Sequence, residues 1–303
     1  MIDFHPIRLA DKVWIDPLVM AENSPSADFN FGNNFLWDES FHQQVADLGS
    51  RMVVMPCYEE HPFFAWPVGS GDVAPVLAEL RAYAKAHGFP FVLRGVTAEH
   101  LPIIQSIFGN ENGSYTVIDE RDHWDYLYAA EKLDTLSGKK LHGKRNHIHR
   151  FEAENNWRFA PLAHEDFPAC IAMLDEWMAN CGEDEQDGID DEYRAICRAF
   201  EHYDALGLEG GVLWVEDRLV AFTIGEVIST DTFNVHFEKA YADINGAYTM
   251  INREFVRYIR ARHPQIQWIN REDDTGRPSL RQSKLSYRPD RMVEKYKVVF
   301  PDE

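Results

Sequence analysis

Three short strings hold most of the residues able to run chemistry: NVHFEKAY (residues 234–241), INREDD (269–274) and SKLSYRP (283–289). Residues of these types can serve as a general base, as donors to a developing oxyanion and as a general acid, the three roles that group transfer to a nucleophile needs. Period-two alternation on the first string puts Asn234, His236 and Glu238 on one strand face and Val235, Phe237 and Lys239 on the other. Polar side chains on a central strand are costly unless paired or lining a cleft. Glu238 is therefore the first candidate for a catalytic base, with His236 beside it; a structural pairing of Glu238 with a Lys or Arg is the plain alternative. Asn270, Glu272 and Asp273 can hold a cationic acceptor or the amino group of an aminoacyl donor, or can cap the next helix as an ordinary polar strand end. Lys284 can steady an oxyanion or a phosphate, or pair with those acids, while Tyr287 and Leu285 can simply pack. The helix start at Gly246 and Ala247 offers N–H groups to an anion, although Asp243 nearby would repel one.

A second feature is electrostatic. GKKLHGKRNHIHR (138–150) carries five Lys/Arg, three His and no acid, in a chain of formal net charge -20. On a helix, Leu141, Ile148 and Phe151 share one side, with Lys139, His142, Asn146, His149 and Arg150 opposite. Lys139, Lys144, Arg145 and Arg150 are candidates for holding a phosphate backbone, whether of a tRNA donor, a lipid headgroup or a cofactor. The alternative is docking against some of the 50 Asp and Glu of the chain. His147 and His149 diverge on such a helix, His142 and His149 lie two turns apart and no cysteine is near, so no metal site is expected.

The elements that position these groups can be read from pattern. EDFPACIAMLDEWMAN and DDEYRAICRAFEHYDAL are amphipathic helices, GGVLWVEDRLVAFTIGEVI is a hairpin, and NGAYTMINREFVRYIRARH is a helix with Ile251, Phe255 and Ile259 on one face. With NWRF, QIQWIN and EKYKVVF as strands and SLRQSKLSY as a short helix, the order is β-α-α-β-β-β-α-β-α-β. In the first half, RMVVMP and FFAWPV read as paired strands, VAPVLAELRAYAKAHG as a helix, FPFVLRGV as a strand, TAEHLPIIQSIF as a helix and SYTVI as a strand. The shared sub-pattern points to a duplicated domain.

Composition agrees with two packed cores: 303 residues, 45% hydrophobic and 13% aromatic. Cys57, Cys170, Cys181 and Cys197 lack Cys-x-x-Cys spacing and read as reduced thiols. No signal-like or membrane-spanning run occurs, so stable membrane insertion is not expected and a cytoplasmic location is. The acidic run EDEQDGIDDE (183–192) reads as a solvated loop entering a helix, Asn112-Gly113 as a turn, and Asp274-Thr275-Gly276 as a turn rather than a protease motif. Serine-hydrolase, P-loop and zincin motifs are missing from the sequence.

The element order resembles the GNAT acyltransferase fold. LSGKKLHGKRNHIHRF, TIGEV, HFEKAYADINGAYTMINREF, INREDD and LRQSKLSYRP together resemble soluble bacterial proteins related to the C-terminal domain of phosphatidylglycerol lysyltransferases, tandem GNAT-like proteins akin to the Fem-type transferases that use aminoacyl-tRNA. The resemblance spans nearly the whole chain. It implies a mixed α/β fold with an N-terminal degenerate domain (1–138), a basic linker helix (139–155) and a C-terminal domain bearing the site (156–303). It further implies Glu238 as a strand-four base, Tyr287 as general acid, and the Gly246 loop at the position of a pyrophosphate loop, here lacking the usual Gln or Arg. The expected activity is transfer of an acyl or aminoacyl group, with aminoacyl-tRNA ahead of acyl-CoA as co-substrate and no permanently bound cofactor. A binding protein that senses an amino acid or nucleotide is the alternative of another class.

Overall fold

The computed structural model describes residues 2–109, 113–179 and 188–301. The chain forms two compact units, the first made of Met1–Asp125, Asp273–Arg281 and Met292–Glu303, the second of Tyr126–Glu272 and Gln282–Arg291.

The first unit holds β1 (His5–Pro6), α1 (Lys12–Glu22), α2 (Phe31–Leu36), α3 (Asp38–Phe41), β2 (Gln44–Asp47), β3 (Arg51–Met55), β4 (Phe64–Ala65), β5 (Val68–Gly69), α4 (Ala74–His87), β6 (Val92–Thr97), α5 (Leu101–Phe108) and β7 (Thr116–Asp119). There follow β8 (Asp125–Ala129), α6 (Ala130–Thr135), α7 (His142–Glu154), β9 (Trp157–Pro161), α8 (Phe167–Ala179), α9 (Ile189–Glu201), α10 (Tyr203–Leu206), β10 (Glu209–Val215), β11 (Arg218–Val227), β12 (Thr232–Ala240), α11 (Ala247–Arg262), β13 (Trp268–Asn270), α12 (Pro278–Ser286), β14 (Arg291–Val293) and β15 (Lys295–Val299).

The second unit is built on a seven-stranded sheet of order β14-β8-β13-β12-β11-β10-β9. Helix α11 forms because Ile251, Phe255 and Ile259 recur on one face, and all three are buried. It is the crossover between β12 and β13, which pair in parallel. The first unit repeats this plan: α4 crosses between β4 and β6, also parallel. Its equivalent of β12 is interrupted, however. β4 and β5 flank Trp66-Pro67 and join different sheets, β4-β6-β15-β7 and β1-β2-β3-β5; a proline lacks the N–H that a continuous strand would donate. Among the described residues, no polar strand comparable to β12 runs through this unit.

Three expectations are corrected. The first half does not end at residue 138: β8 and α6 already belong to the second unit, and β8 pairs antiparallel with β13. The 139–155 segment is not a linker, because Leu141, Ile148 and Phe151 are buried within the second unit. The last strand, β15, lies between β6 and β7 of the first unit rather than closing the second. Each half thus lends one strand to the other's sheet, a pairing that local periodicity does not encode. The 1–43 region also carries three helices that the sequence reading passed over.

The turn at Asn112, Cys181 and the run from Glu183 to Asp187 lie outside the described residues. Asp190, Asp191 and Glu192 open α9, and Cys57, Cys170 and Cys197 are free thiols. Among the described residues no helix is long and apolar enough to cross a membrane.

Candidate active site

The pairing of β12 with β13 ends at Asn234–Asn270. Beyond that point the strands part, and side chains bridge the opening on both faces of the sheet. The two faces are set by a β-bulge. Ile224 of β11 faces Phe237 while its neighbour Gly225 faces Val235, so His236 is the extra residue of β12. The bulge shifts the alternation, and Glu238 leaves the face it was expected to share with Asn234 and His236. This corrects the period-two reading.

On the α11 face, Arg271 Nη2 donates to Glu238 Oε1 at 2.8 Å, and Asn252 Nδ2 donates to Glu238 Oε2 at 3.0 Å. Both carboxylate oxygens are thus engaged, so Glu238 stands as the ion-pair partner of Arg271 rather than as a free base. The guanidinium lies 4.8 Å from the centre of the Tyr287 ring, and the Lys144 ammonium 3.8 Å from it. Tyr287 Oη is 3.4 Å from Thr249 Oγ1. Burial pushes the Tyr287 phenol up, against the pull of Arg271, so the hydroxyl stays protonated near neutrality. Burial first, and Arg271 second, lower the Lys144 ammonium to about 8, with Glu238 opposing. Two buried polar atoms here have no partner among the described residues: Arg271 Nη1 and Asn252 Oδ1.

The opposite face is acidic. His236 Nδ1 lies 2.9 Å from Glu272 Oε1 and its Nε2 lies 2.9 Å from Glu226 Oε1. Both ring nitrogens must carry hydrogen to serve both carboxylates, so the ring is an imidazolium. Burial works against that charge, but the two carboxylates outweigh it and raise the pKa to about 9. Asn234 Nδ2 also donates to Glu272 Oε1, at 2.7 Å. A clamped imidazolium is an orienting cation and not a free general base, which redefines the part expected of His236.

The other candidates disperse. Asn270 is buried and its Oδ1 accepts from the Glu272 N–H at 2.6 Å, fixing the strand end. Asp273 belongs to the first unit, where its Oδ2 lies 3.2 Å from His123 Nδ1. Lys284 is buried and its ammonium donates to the Arg271 carbonyl, so it holds the chain that presents Arg271 instead of facing a phosphate. Asp274 accepts from the Gly276 N–H at 3.0 Å, the expected turn.

At the α11 N-terminus, the Ala247 N–H donates to Ile244 O at 3.1 Å. Gly246 has φ +89°, and a Cβ there would lie 2.6 Å from His147 O of α7. His147 Nδ1 meets Asn245 Oδ1 at 2.8 Å. Helix α7 therefore packs against the helix start that the sequence reading gave to an anion. The basic residues of the 139–150 stretch separate accordingly. Lys139 and Arg150 are exposed, with Arg150 paired to Glu154 at 2.8 Å; Arg145 donates to Leu136 O and Gly138 O; Lys144 turns inward to Tyr287.

Sequence reasoning missed Arg271, Glu226 and Asn252. Arg271 lies within INREDD, where three acidic neighbours dominate the charge of the string. Glu226 was available in TIGEV, and the glycine before it marks the bulge: a Cβ on Gly225 would lie 2.1 Å from Asn234 O.

Mixed sheets repeated in tandem, with a polar opening between the fourth and fifth strands of the second, define a GNAT-like fold of the tandem and Fem-type kind. The family described as phosphatidylglycerol lysyltransferase, C-terminal, matches residues 22–299, and the chain belongs to it. The chain is thereby a member of a transferase family. The structure is similar to a conserved protein of unknown function from Bacteroides thetaiotaomicron, 36% identical, with a TM-score of 0.92 and coverage of 99% of this chain and 100% of that one. It also resembles the C-terminal domain of a candidate lysylphosphatidylglycerol synthetase from Agrobacterium fabrum, 15% identical, with a TM-score of 0.66 and coverage of 97% and 93%. A curated relative from Mycoplasmoides gallisepticum, described as uncharacterized, is 26% identical over 179 residues, which are 57% of this chain and 55% of that protein. The match thus spans about half the length of that relative.

Proposed function

We propose that the chain transfers an aminoacyl group from aminoacyl-tRNA to an amine or hydroxyl acceptor, at the opening between β12 and β13. The observation that carries this reading is the buried cluster of Arg271, Glu238, Tyr287 and Lys144 beside that opening. In the proposed reaction Lys144, with a pKa near the working pH, takes the acceptor's proton as the acceptor attacks the ester carbonyl. The unpartnered Nη1 of Arg271 meets the negative charge that develops on the carbonyl oxygen. The carbon–oxygen bond to the ribose then breaks, and the Tyr287 hydroxyl supplies the proton that the leaving oxygen needs. Glu238 keeps the guanidinium in place.

The choice of donor rests on α7. Its His147 carbonyl occupies the approach to Gly246, where a pyrophosphate would otherwise lie, and the Ala247 N–H is already bonded. The outer face of α7 and of the 3-10 turn that precedes it (Lys139–Leu141) leaves Lys139, Lys140, His142, His149 and Arg150 toward solvent, suited to a phosphate backbone.

The test is transfer of label from aminoacyl-tRNA into a small-molecule extract, run beside labelled acetyl-CoA. Label should leave the tRNA only with active protein, and Tyr287→Phe should slow this by about 100-fold. Turnover of acetyl-CoA without transfer from the tRNA would overturn the reading.

A further inference from the structure

The acidic side of the opening has no part in the proton transfers above, and its chemistry points to a ligand of its own. Glu226 and Glu272 contribute two negative charges and the His236 imidazolium one positive charge, so the group carries a net charge of about -1 by simple count of these ionised forms. Glu226 and Asn234 face each other across β11 and β12, and Glu272 reaches them from the end of β13. Asn234 is fully buried, with Nδ2 donating to the Glu272 carboxylate at 2.7 Å and lying 3.1 Å from His236 Nδ1. Its Oδ1 is an acceptor held among acids, and it has no partner among the described residues. A buried carbonyl left without a donor costs free energy, which a ligand bearing N–H groups would recover. The imidazole uses Oε1 of each carboxylate, and the Glu272 side chain is 20% exposed, so the group is open at one edge.

We infer that Glu226, Glu272 and Asn234 Oδ1 form a subsite for a primary ammonium, the free amino group of the aminoacyl moiety. An ammonium brings three donors and one positive charge. It thereby satisfies the Asn234 carbonyl and neutralises the excess charge together, whereas a hydroxyl would meet only the first need and an acyl chain neither. His236 is a positioning residue that holds the two carboxylates on either side. The inference rests on the aminoacyl reading and sharpens it: the site selects donors with an unblocked amine and rejects simple acyl groups.

The experiment is titration calorimetry on the full chain with four small esters: L-alanine methyl ester, L-lysine methyl ester, N-acetyl-L-alanine methyl ester and methyl propionate. The two amine-bearing esters should bind at least about 10-fold tighter than the blocked and amine-free ones, a difference of one hydrogen-bonded charge. Glu272→Gln should remove most of that preference and leave the weak binding of methyl propionate as it was. Equal binding of all four, tighter binding of the acetylated ester, or no binding of the amines at tens of millimolar would each overturn the subsite. The wild-type comparison needs no variant, so a poorly folding Glu272→Gln would not blunt it. Transfer assays on the same preparation keep the two ideas apart. Aminoacyl-tRNA turnover with no preference for a free amine sinks the subsite alone; acetyl-CoA turnover without tRNA turnover sinks the aminoacyl reading.

Discussion

Arg271, the residue after β13, and Glu238 of β12 lie 2.8 Å apart where the two strands have stopped pairing, with side chains 11% and 8% exposed. The pair spans the gap between β12 and β13 and shares one wall of it with Tyr287. A buried pair of this kind adds little beyond an apolar substitute, but losing one member leaves a stranded charge. Arg271→Met should therefore lower unfolding stability by about 3–5 kcal/mol. Urea unfolding would read this as a lower midpoint at unchanged slope. Glu238→Gln keeps the shape but strands the buried Arg271 guanidinium, so it should cost stability on the same scale while also misplacing the guanidinium and slowing transfer.

His236 supplies a pH signature of stability. Its folded pKa, about 9, lies above the ordinary 6.5 of a free imidazole. The contribution is complete below the unfolded value and is lost as pH rises through the folded one. A shift of that size corresponds to about 3 kcal/mol. Stability should hold from pH 5.5 to 6.5 and then fall toward about pH 9, a decline attributable to this site. In His236→Gln that decline should shrink; a wild-type profile flat from about pH 6.5 to 9 would mean that the ring is not clamped as an imidazolium.

The sequence made the second sheet legible because its elements are locally periodic. Ile251, Phe255 and Ile259 announce α11, and the hairpin of β10 and β11 is apolar on both sides of a polar turn at Glu216-Asp217. Exchange of β8 and β15 between the halves of the sequence is a long-range pairing between strands far apart in the chain, and no window of residues contains it. The same limit governs the site. Asn234, His236, Glu238, Glu272 and Tyr287 were all legible as residues able to do chemistry. Their sorting onto two faces was not, because one bulged residue inverts the phase of everything after it. The basic helix divides similarly: wheel geometry put Leu141, Ile148 and Phe151 inside, but whether Lys144 stacks on Tyr287 depends on where α12 ends.

Lys144 should appear in the pH dependence of the reaction. An amine that accepts a proton must first be free of its own, so kcat/KM should rise through about pH 8, the pKa that burial and Arg271 impose. Lys144→Arg retains a cation over the Tyr287 ring but cannot titrate in that range. It should lose the limb and most of the rate while keeping its fold by circular dichroism. A limb that persists in the variant would assign the titration to another group.

Gly246 tests whether α7 truly covers the α11 start. The position needs a left-handed backbone and has no room for a Cβ, since His147 O would be 2.6 Å away. Gly246→Ala combines backbone strain with displacement of α7 and should destabilise by about 2 kcal/mol or more. Thermal unfolding would show a lowered midpoint. Near-neutral behaviour would mean that α7 stands off the helix start and leaves it open to an anion.

The exposed face of α7 gives a salt-dependent test of the donor. Cations that neutralise phosphates release counterions, so each lost contact reduces the slope of log K against log salt by a little under one unit. Lys139→Gln, Lys140→Gln and Arg150→Gln combined should reduce the slope for tRNA binding by about 2 units and weaken binding at low salt. Arg150 now pairs with Glu154, so its share should be the smallest of the three. Lys144→Arg, made on the inner side of the same helix, should leave the slope unchanged, because that side chain faces Tyr287 and not solvent. A slope insensitive to the triple substitution would place the phosphate backbone elsewhere on the protein and leave the basic face of α7 without a part in binding tRNA.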